Sequence, residues 1–112
     1  MNKPTRFYSS KQEKVVAKVV GGRQVANSGA TSFAKGDVTN DEWLIECKTA
    51  TTAKASFSIQ REWLIKNKDE AFAMGKNYNA LCFDFGPDTN RYYIIDEKIF
   101  RKVLQYFKEV ET

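Results

Sequence analysis

The sequence predicts an α/β domain in which a mixed β-sheet is flanked by helices. Apolar residues recur at helical spacing in three segments: near the start, in the middle and at the end of the chain. Short apolar runs bounded by glycine, asparagine, aspartate and proline lie between those segments and are typical of strands. The chain has 112 residues, enough for a modest core, so a single domain is expected over residues 1–112.

The first helix is predicted to begin at Ser10, because the segment from Ser10 to Glu13 has the Ser-x-x-Glu spacing of a capping box. Four valines follow within eight residues, and Gly21-Gly22 ends the helix. Pro4 argues against an earlier start, so residues 1–9 are expected to form a flexible arm. A short strand over 23–26 and a small, polar loop over 27–32 are expected next.

The segment from Asp37 to Lys48 is predicted to form a β-hairpin. Strand alternation places Leu44, Glu46 and Lys48 on one face, and Trp43, Ile45 and Cys47 on an apolar face toward the core. A turn centred on Asn40-Asp41 pairs Val38 with Trp43 and Asp37 with Leu44. Asp37 then lies diagonally across from Glu46 on the same face, about 7–8 Å away at the backbone. A slip of one residue would move it to the opposite face.

The second half of the chain is predicted to add a helix, two strands and a closing helix. Residues 49–55 are expected to form a mobile loop, and Ser58 to cap a helix that ends at Gly75. The apolar stripe of that helix comprises Ile59, Trp63, Leu64, Ala71 and Met74, with Gln60 on the same stripe. Strands are predicted over 80–85 and 91–95. Asp96 is then expected to cap a helix whose apolar residues are Ile99, Phe100, Val103, Leu104, Phe107 and Val110.

The composition excludes several kinds of chemistry. The absence of histidine excludes a Ser-His-Asp triad, a Cys-His pair and histidine-ligated zinc. The two cysteines, Cys47 and Cys82, lack Cys-x-x-Cys spacing and are predicted to be buried free thiols. No apolar run approaches the length that crosses a membrane, so we expect a soluble chain in the cytoplasm.

Basic residues are concentrated in the first third of the chain. Residues 1–36 hold seven basic side chains and one acid, whereas residues 37–112 hold eleven basic and thirteen acidic ones. A basic segment that precedes an acidic cluster suits a polyanion whose phosphate must reach a metal ion. The alternative is an ordinary solvated basic surface.

Asp37, Glu46 and Lys48 form the candidate catalytic cluster. Two carboxylates at the predicted separation can hold a cation that prefers oxygen ligands, so Mg²⁺ or Mn²⁺ is the expected cofactor. Lys48 would orient the attacking water or stabilise developing negative charge, unless it only forms a salt bridge with the two acids. The alternative for both acids is an ordinary surface strand.

These residues resemble the motif of the PD-(D/E)xK nuclease superfamily, with Asp37 followed by Glu46-Cys47-Lys48. Within it the chain is most similar to the archaeal-type Holliday junction resolvases, which phages also carry. Glu13, the Ser28-Gly29 loop and Gln60 occur in the order found in that family. Gly36 stands where the superfamily name has proline.

The resemblance implies a restriction-endonuclease-like core and an endodeoxyribonuclease that resolves four-way junctions and other branched DNA. It also implies a homodimer, because resolution needs two nicks in opposed strands. The last helix and the strand from Tyr92 to Ile95 could supply the dimer surface, although most of their apolar residues are expected in the core.

The resemblance further implies roles for individual residues. The backbone carbonyl of Cys47 would be a third metal ligand, beside Asp37 and Glu46. Glu13 would support the metal through water, unless it only completes the capping box, and Gln60 would contact the scissile phosphate or position Lys48. Ser28 and Ser32 would contact the phosphate next to the cut, as loop serines do in the resolvases. Apart from the resemblance, the basic residues Lys11, Lys14, Arg23 and Lys35 are candidate contacts to the DNA backbone, and each of these six residues could instead be merely solvated.

Three other functions remain open at the level of sequence. One is a related nuclease with another target, such as a restriction-like or nicking enzyme. Another is a DNA-binding module without catalysis, and the last is a small basic protein that binds no nucleic acid.

Overall fold

The computed structural model describes residues 5–25 and 37–111. In chain order the elements are α1 (Thr5–Val20), β1 (Arg23–Gln24), β2 (Asp37–Thr39), β3 (Trp43–Lys48), α2 (Arg61–Ala73), β4 (Tyr78–Asp84), β5 (Arg91–Ile94) and α3 (Glu97–Glu111). The predicted α/β class is confirmed, because these elements form a mixed sheet with helices around it. None of the helices in the described ranges is long and apolar enough to cross a membrane.

The five strands lie in the sheet in the order of the chain, β1-β2-β3-β4-β5. The pairs β1/β2, β2/β3 and β4/β5 are antiparallel, and β3/β4 is parallel. Parallel neighbours require a crossover connection, and α2 supplies it between β3 and β4. The carboxyl ends of β3 and β4 therefore lie side by side.

Helices α1 and α2 cover opposite faces of the sheet. Val16 of α1 packs into a core cluster with Val38, Ile45, Cys47, Ala80 and Cys82. On the other face, Asn67 of α2 is 1% exposed and donates a hydrogen bond to the Leu44 carbonyl. The amide of Asn79 donates to the side-chain oxygen of Asn67 at 2.9 Å. Strand β3 is consequently buried on both faces.

The predicted ends of the first two helices are confirmed, and both use glycine in the left-handed region. Gly21 and Gly75 have φ of 64° and 71°. The following amides turn back to the helix, from Gly22 to the Ala17 carbonyl and from Lys76 to the Ala71 carbonyl, each at 2.8 Å. This pattern is the Schellman motif, which satisfies carbonyls that a helix end leaves without partners.

The predicted starts of the same helices are wrong. Helix α1 begins at Thr5, so Ser10 lies inside the helix, no capping box exists there, and residues 5–9 are not a flexible arm. The predicted start of that arm, residues 1–4, lies outside the described residues. Proline is tolerated at a helix start, and burial of Val16 and the residues around it against the sheet outweighs the low helix propensity of valine.

Helix α2 begins at Arg61, and its N-cap is Gln60 instead of Ser58. The chain from Thr49 to Gln60 is irregular over its whole length, because it must pass from the end of β3 to the face that α2 covers. Phe57 in this connection packs against Trp63 and Phe83, at ring-centroid distances of 6.4 and 5.3 Å. These contacts favour an extended segment where the sequence alone predicts helix.

The closing helix confirms one prediction and contradicts another. The Asp96 carboxylate accepts a hydrogen bond from the Ile99 amide at 2.8 Å, so Asp96 caps α3 as predicted. Most of the six apolar residues of α3 were expected in the core, however, and only Ile99 is buried. Val103 is half-buried, and the other four are exposed. Helical spacing identifies an apolar stripe but does not specify what covers it.

The buried carboxylate of Asp84 joins α1, β4 and the segment after β3. It accepts hydrogen bonds from the side chains of Gln12 and Thr49, at 3.1 and 2.9 Å. It also accepts from the backbone amides of Ala50 and Gly86, at 3.2 and 3.1 Å. The same Gln12 amide donates to the Lys48 carbonyl at 2.8 Å, so this network holds the end of β3 in place.

Replacement of Asp84 by asparagine should destabilise the domain by about 2 kcal/mol, because an amide nitrogen cannot accept from the donors that remain buried. The free energy of unfolding in urea measures this loss. Asp69→Asn, at an exposed position on α2, is the matched control and should change stability by less than about 0.5 kcal/mol. Equal losses in the two variants would contradict the role assigned to Asp84.

Candidate active site and metal centre

The turn between β2 and β3 lies one residue later than the sequence predicts. The side-chain oxygen of Asn40 accepts hydrogen bonds from the amides of Glu42 and Trp43, at 2.9 and 2.8 Å. The backbone N–H of Asn40 donates to the Trp43 carbonyl at 3.1 Å, which leaves Asp41 and Glu42 as the two central residues of the turn. An asparagine side chain that mimics a backbone turn in this way explains where the hairpin reverses.

This turn corrects the predicted register. Asp37 pairs with Glu46, Val38 with Ile45 and Thr39 with Leu44, whereas the predicted partners of Asp37 and Val38 were Leu44 and Trp43. Moving the centre of a turn by one residue changes each partner by two positions, so no side chain changes face. The predicted placement of Asp37 and Glu46 on one face is therefore confirmed, with the two residues directly opposite instead of diagonal.

Asp37 and Glu46 bring two carboxylates together below the surface. Directly opposed residues of an antiparallel pair have Cα atoms about 4.5–5.5 Å apart and side chains on the same face. The residues are only 7% and 4% exposed. Like charges directly opposite each other on a sheet are destabilising, and a divalent cation between them converts that repulsion into attraction.

The donor set at this position fits Mg²⁺ or Mn²⁺. Mg²⁺ keeps several waters and is usually bound by one or two carboxylates, and Cys47 offers a backbone carbonyl beside Glu46. In the ranges 5–25 and 37–111, no group of three or more histidine, cysteine, aspartate or glutamate side chains is arranged to hold a metal. Any ion at this hairpin would thus depend on two carboxylates supplemented by backbone oxygen and water.

Glu13 lies on the α1 side of the sheet. Its Oε1 atom accepts a hydrogen bond from the Gln24 side chain at 3.1 Å. Gln24 is paired with Val38 in the sheet, so the side chains of Gln24 and Val38 both lie on the face that α1 covers. Because side chains alternate along a strand, Asp37 lies on the other face. The interpretation of Glu13 as a helix cap is wrong because α1 begins eight residues earlier. Glu13 is nevertheless buried near β3.

The two cysteines are buried and free, as predicted. They lie opposite each other on β3 and β4. The hydrogen bond between them is the main cause that raises the pKa of the Cys47 thiol above its usual range, and burial and the charges of Cys82, Glu13 and Asp37 add to it. The Cys47 side chain packs with Val16 and Val38 on the face that α1 covers, whereas the Glu46 side chain lies on the other face. The backbone carbonyl is therefore the group of Cys47 that could bind a metal beside Glu46.

Lys48 is positioned by an aromatic ring. Its Nζ atom lies 4.3 Å from the centroid of the Trp63 ring, in the first turn of α2. Cation–π contact of this kind attracts an ammonium group to the ring face. Within the part of the chain that the structure describes, Lys48 forms no ion pair, so a salt bridge to the two acids is not what holds it.

Trp63 is the functional candidate that the sequence interpretation missed. It falls on the apolar stripe of α2, where a tryptophan is expected to be a core residue. Gln60, the residue expected to position Lys48, is instead exposed at the N-cap and makes no side-chain cap bond. Trp63 lies three residues later, one helical turn along the same face, and that spacing is the signal that could have identified it.

The candidate DNA contacts are divided between described and undescribed residues. Lys11, Lys14 and Arg23 are exposed along α1 and β1. Lys11 approaches Asp88 at 3.9 Å, but both side chains are highly exposed, so this ion pair contributes little. The predicted contacts from Ser28, Ser32 and Lys35, and the position of Gly36, lie outside the described residues.

Comparison with known proteins adds no relative: family models, curated proteins and solved structures contain no match to this chain. The structure therefore shows an α/β domain with a mixed sheet and flanking helices, and no solved structure identifies the fold further.

The two carboxylates should make the stability of the protein depend on metal. With no DNA present, Mn²⁺ at about a hundred times its dissociation constant should stabilise the wild type by roughly 2.7 kcal/mol. Asp37→Asn and Glu46→Gln should lose most of this gain, because each removes one anionic ligand. Thermal unfolding with and without Mn²⁺ measures the effect.

Asp41→Asn is the matched control, since it removes an exposed carboxylate from the turn of the same hairpin. It should retain the full increase in melting temperature. Equal increases in all four proteins would show that Mn²⁺ binds elsewhere.

Proposed function

We propose that this protein is a metal-dependent, structure-selective endodeoxyribonuclease that cleaves branched DNA, with four-way junctions as the principal substrate. The observation that carries the proposal is the direct pairing of Asp37 with Glu46 on one buried face of a hairpin, with Lys48 two residues beyond Glu46 on that face. Two carboxylates and an ammonium group at this spacing are the constellation on which the resemblance to the PD-(D/E)xK nucleases depends. The mixed sheet between α1 and α2 supports a restriction-endonuclease-like core.

In this mechanism Asp37 and Glu46 would hold Mg²⁺ or Mn²⁺ together with the carbonyl of Cys47. The bound cation would supply Lewis acidity that activates water and neutralises charge on the phosphate. Lys48 donates hydrogen bonds to the attacking water or to the developing anionic oxygen. Burial of the two carboxylates strengthens these interactions, because water screens charges less inside the protein.

Trp63 acts as a positioning residue for Lys48 in this proposal. A lysine side chain has four rotatable bonds, and the ring restricts where the ammonium group lies. Phe57 and Phe83 hold the ring in turn. Gln60, exposed at the start of α2, is a candidate for a phosphate contact. Glu13 lies on the opposite face of the sheet from the two acids, so it is assigned no contact with the metal or its water.

DNA would be recognised through its backbone. Lys11, Lys14 and Arg23 lie on the basic part of the chain, and phosphate contacts position a nucleic acid without reading its sequence. Selectivity for a branched substrate would then come from the relative placement of phosphates. Affinity should fall steeply with salt, because each neutralised phosphate releases counterions.

A DNA-binding module without catalysis is the competing class of function. It requires a cluster that has decayed, whereas the two acids and the lysine are intact. Another nuclease of the same superfamily shares the cluster and differs only in substrate. Linear duplex and flapped DNA, tested beside the junction, separate that enzyme from a resolvase.

Lys48→Ala should leave junction binding within about threefold of the wild type and lower cleavage at least about a hundredfold, since the group acts on the transition state. A labelled four-way junction incubated with Mg²⁺ or with chelator measures cleavage, and retardation in gels measures binding. Lys66→Ala, at an exposed site on α2, is the control and should cleave normally. Cleavage by rigorously purified Lys48→Ala would contradict the proposal.

Trp63→Leu should lower the single-turnover cleavage rate about tenfold with little change in junction affinity, because the ammonium group loses its fixed position. Trp63→Phe should lose less, since phenylalanine also offers a ring face, although a weaker one. The matched control is Trp43→Leu, because Trp43 packs against Tyr78 away from Lys48. Equal losses in Trp63→Leu and Trp43→Leu would show general damage to packing instead of a positioning role.

A further inference from the structure

Three aromatic side chains form a cluster beside the candidate active site. Phe83 of β4 and Phe85, which follows the end of β4, pack against Tyr92 of β5 with ring centroids 5.7 and 5.8 Å away. The two phenylalanine rings are 5.5 Å apart. Both phenylalanines are half-buried, whereas Tyr92 is 48% exposed. These three side chains are called the aromatic platform below.

The register of the sheet connects the aromatic platform to Lys48. Lys48 pairs with Phe83, and Phe83 pairs with Tyr92, so the three side chains lie on the same face of the sheet. Neighbouring strands are about 4.8 Å apart, which places Tyr92 about 10 Å from Lys48 at the backbone. Trp63 and Phe57 continue the aromatic surface from the Lys48 ammonium to Phe83. A DNA strand with a phosphate at Lys48 therefore reaches the platform within about three stacked nucleotides.

A cavity of about 520 Å³ opens beside the exposed part of the aromatic platform. Phe85 and Tyr92 form one side of it, and Lys54, Ala55 and the loop over 88–90 form the other. Cavities of this volume hold ligands of drug size, a class that includes a single nucleotide. The platform thus forms one wall of a cavity instead of a flat surface.

The two sides of the cavity are held together by the backbone. The N–H of Lys54 donates to the Phe85 carbonyl at 2.8 Å. The Thr89 hydroxyl donates to the Gly86 carbonyl at 2.6 Å and accepts from the Phe85 amide at 3.2 Å. A Cβ atom at Gly86 would lie 2.8 Å from the Cα atom of Ala53, so glycine permits this close approach. The cavity is consequently formed before a ligand binds, which lowers the cost of binding.

The charges near the cavity favour a ligand with phosphate groups. Lys54 lines the cavity, and Lys48 lies across Phe83 in the sheet. Asp88 is the acid among the lining residues, but its exposed carboxylate is already 3.9 Å from the Lys11 ammonium. Aromatic rings beside basic groups are the combination that binds single-stranded nucleic acid, because bases stack on the rings while the basic groups contact the backbone.

We propose that the aromatic platform binds an unpaired nucleobase, which stacks on Tyr92 while Lys54 contacts the adjoining phosphate. The inference deepens the proposed function and rests on it for the substrate class, which becomes branched DNA with unpaired nucleotides beside the cleaved bond. Every base has a π face, so stacking of this kind adds affinity without reading sequence. A fully paired duplex offers its bases to the platform only at its ends.

Fluorescence anisotropy of the full chain in the presence of a chelator measures binding without cleavage. The probes are a labelled oligothymidylate of about ten nucleotides and an abasic oligomer of the same length and charge. The wild type should bind the oligothymidylate at least about fivefold more tightly, because only that probe has bases that can stack. Equal affinity for the two probes would overturn the inference.

Variants of β5 test whether Tyr92 is responsible. Tyr92→Leu keeps an apolar side chain but removes the ring, so it should bind the two probes alike, whereas Tyr92→Phe should retain the preference within about twofold. Tyr93→Leu is the matched control, because it removes a tyrosine that is 39% exposed on the opposite face of the same strand. An undiminished preference in Tyr92→Leu would contradict the assignment, and the wild-type comparison decides the question even if this variant does not fold.

Cleavage assays separate this inference from the proposed function. With Mg²⁺, the wild type should cleave a junction with unpaired thymidines at the branch point at least about fivefold faster than a fully paired one. Equal wild-type rates on the two junctions would refute the assigned substrate class. Cleavage of junctions combined with equal affinity for the two probes would refute the inference and leave the nuclease proposal standing. A preference for oligothymidylate without cleavage of any DNA would refute the nuclease proposal and support the platform as a single-strand binding site.

Discussion

The position of one turn governs the candidate site. The side chain of Asn40 accepts the amides of Glu42 and Trp43, and its own amide nitrogen donates to the Val20 carbonyl at the end of α1 at 3.1 Å. These bonds fix where the hairpin reverses and hold the turn against α1. The turn sets the register, and the register sets Asp37 directly across from Glu46. A register shifted by two residues would keep the same faces but would place the two acids diagonally, about 7–8 Å apart at the backbone.

The rest of the fold keeps this hairpin from relaxing. On one face Gln12 ties the end of β3 to α1 and to Asp84, and on the other the first turn of α2 brings Trp63 over Lys48. Burial of β3 on both faces restricts where the carboxylates of Asp37 and Glu46 can lie. Under the proposed function, a cation between them would offset the repulsion of two like charges.

Those features that depend on local chemistry could be predicted from the sequence. Glycines after α1 and α2 mark helix ends because only they enter the left-handed region at little cost, and Asp96 marks the start of α3 because its carboxylate can accept the Ile99 amide. The shared face of Asp37 and Glu46 also followed, because strand alternation is insensitive to shifts by two residues.

Features that depend on tertiary packing could not be predicted in this way. Burial of Val16 against the sheet outweighs the low helix propensity of the valines in α1, and the packing of Phe57 on Trp63 and Phe83 favours an extended segment before α2. The contact between Lys48 and Trp63 joins residues fifteen positions apart across a connection without regular structure. Whether the stripe of α3 faces the core depends on where the sheet leaves room for it, and sequence periodicity does not encode that.

The most direct test of the central claim is to locate a metal ion at the hairpin. Crystals of the protein grown with Mn²⁺ and measured near the manganese absorption edge should give an anomalous peak between the carboxylates of Asp37 and Glu46, within about 2.5 Å of an oxygen atom of each. Manganese bound only at other positions, with the two carboxylates turned apart and no ion between them, would contradict the account.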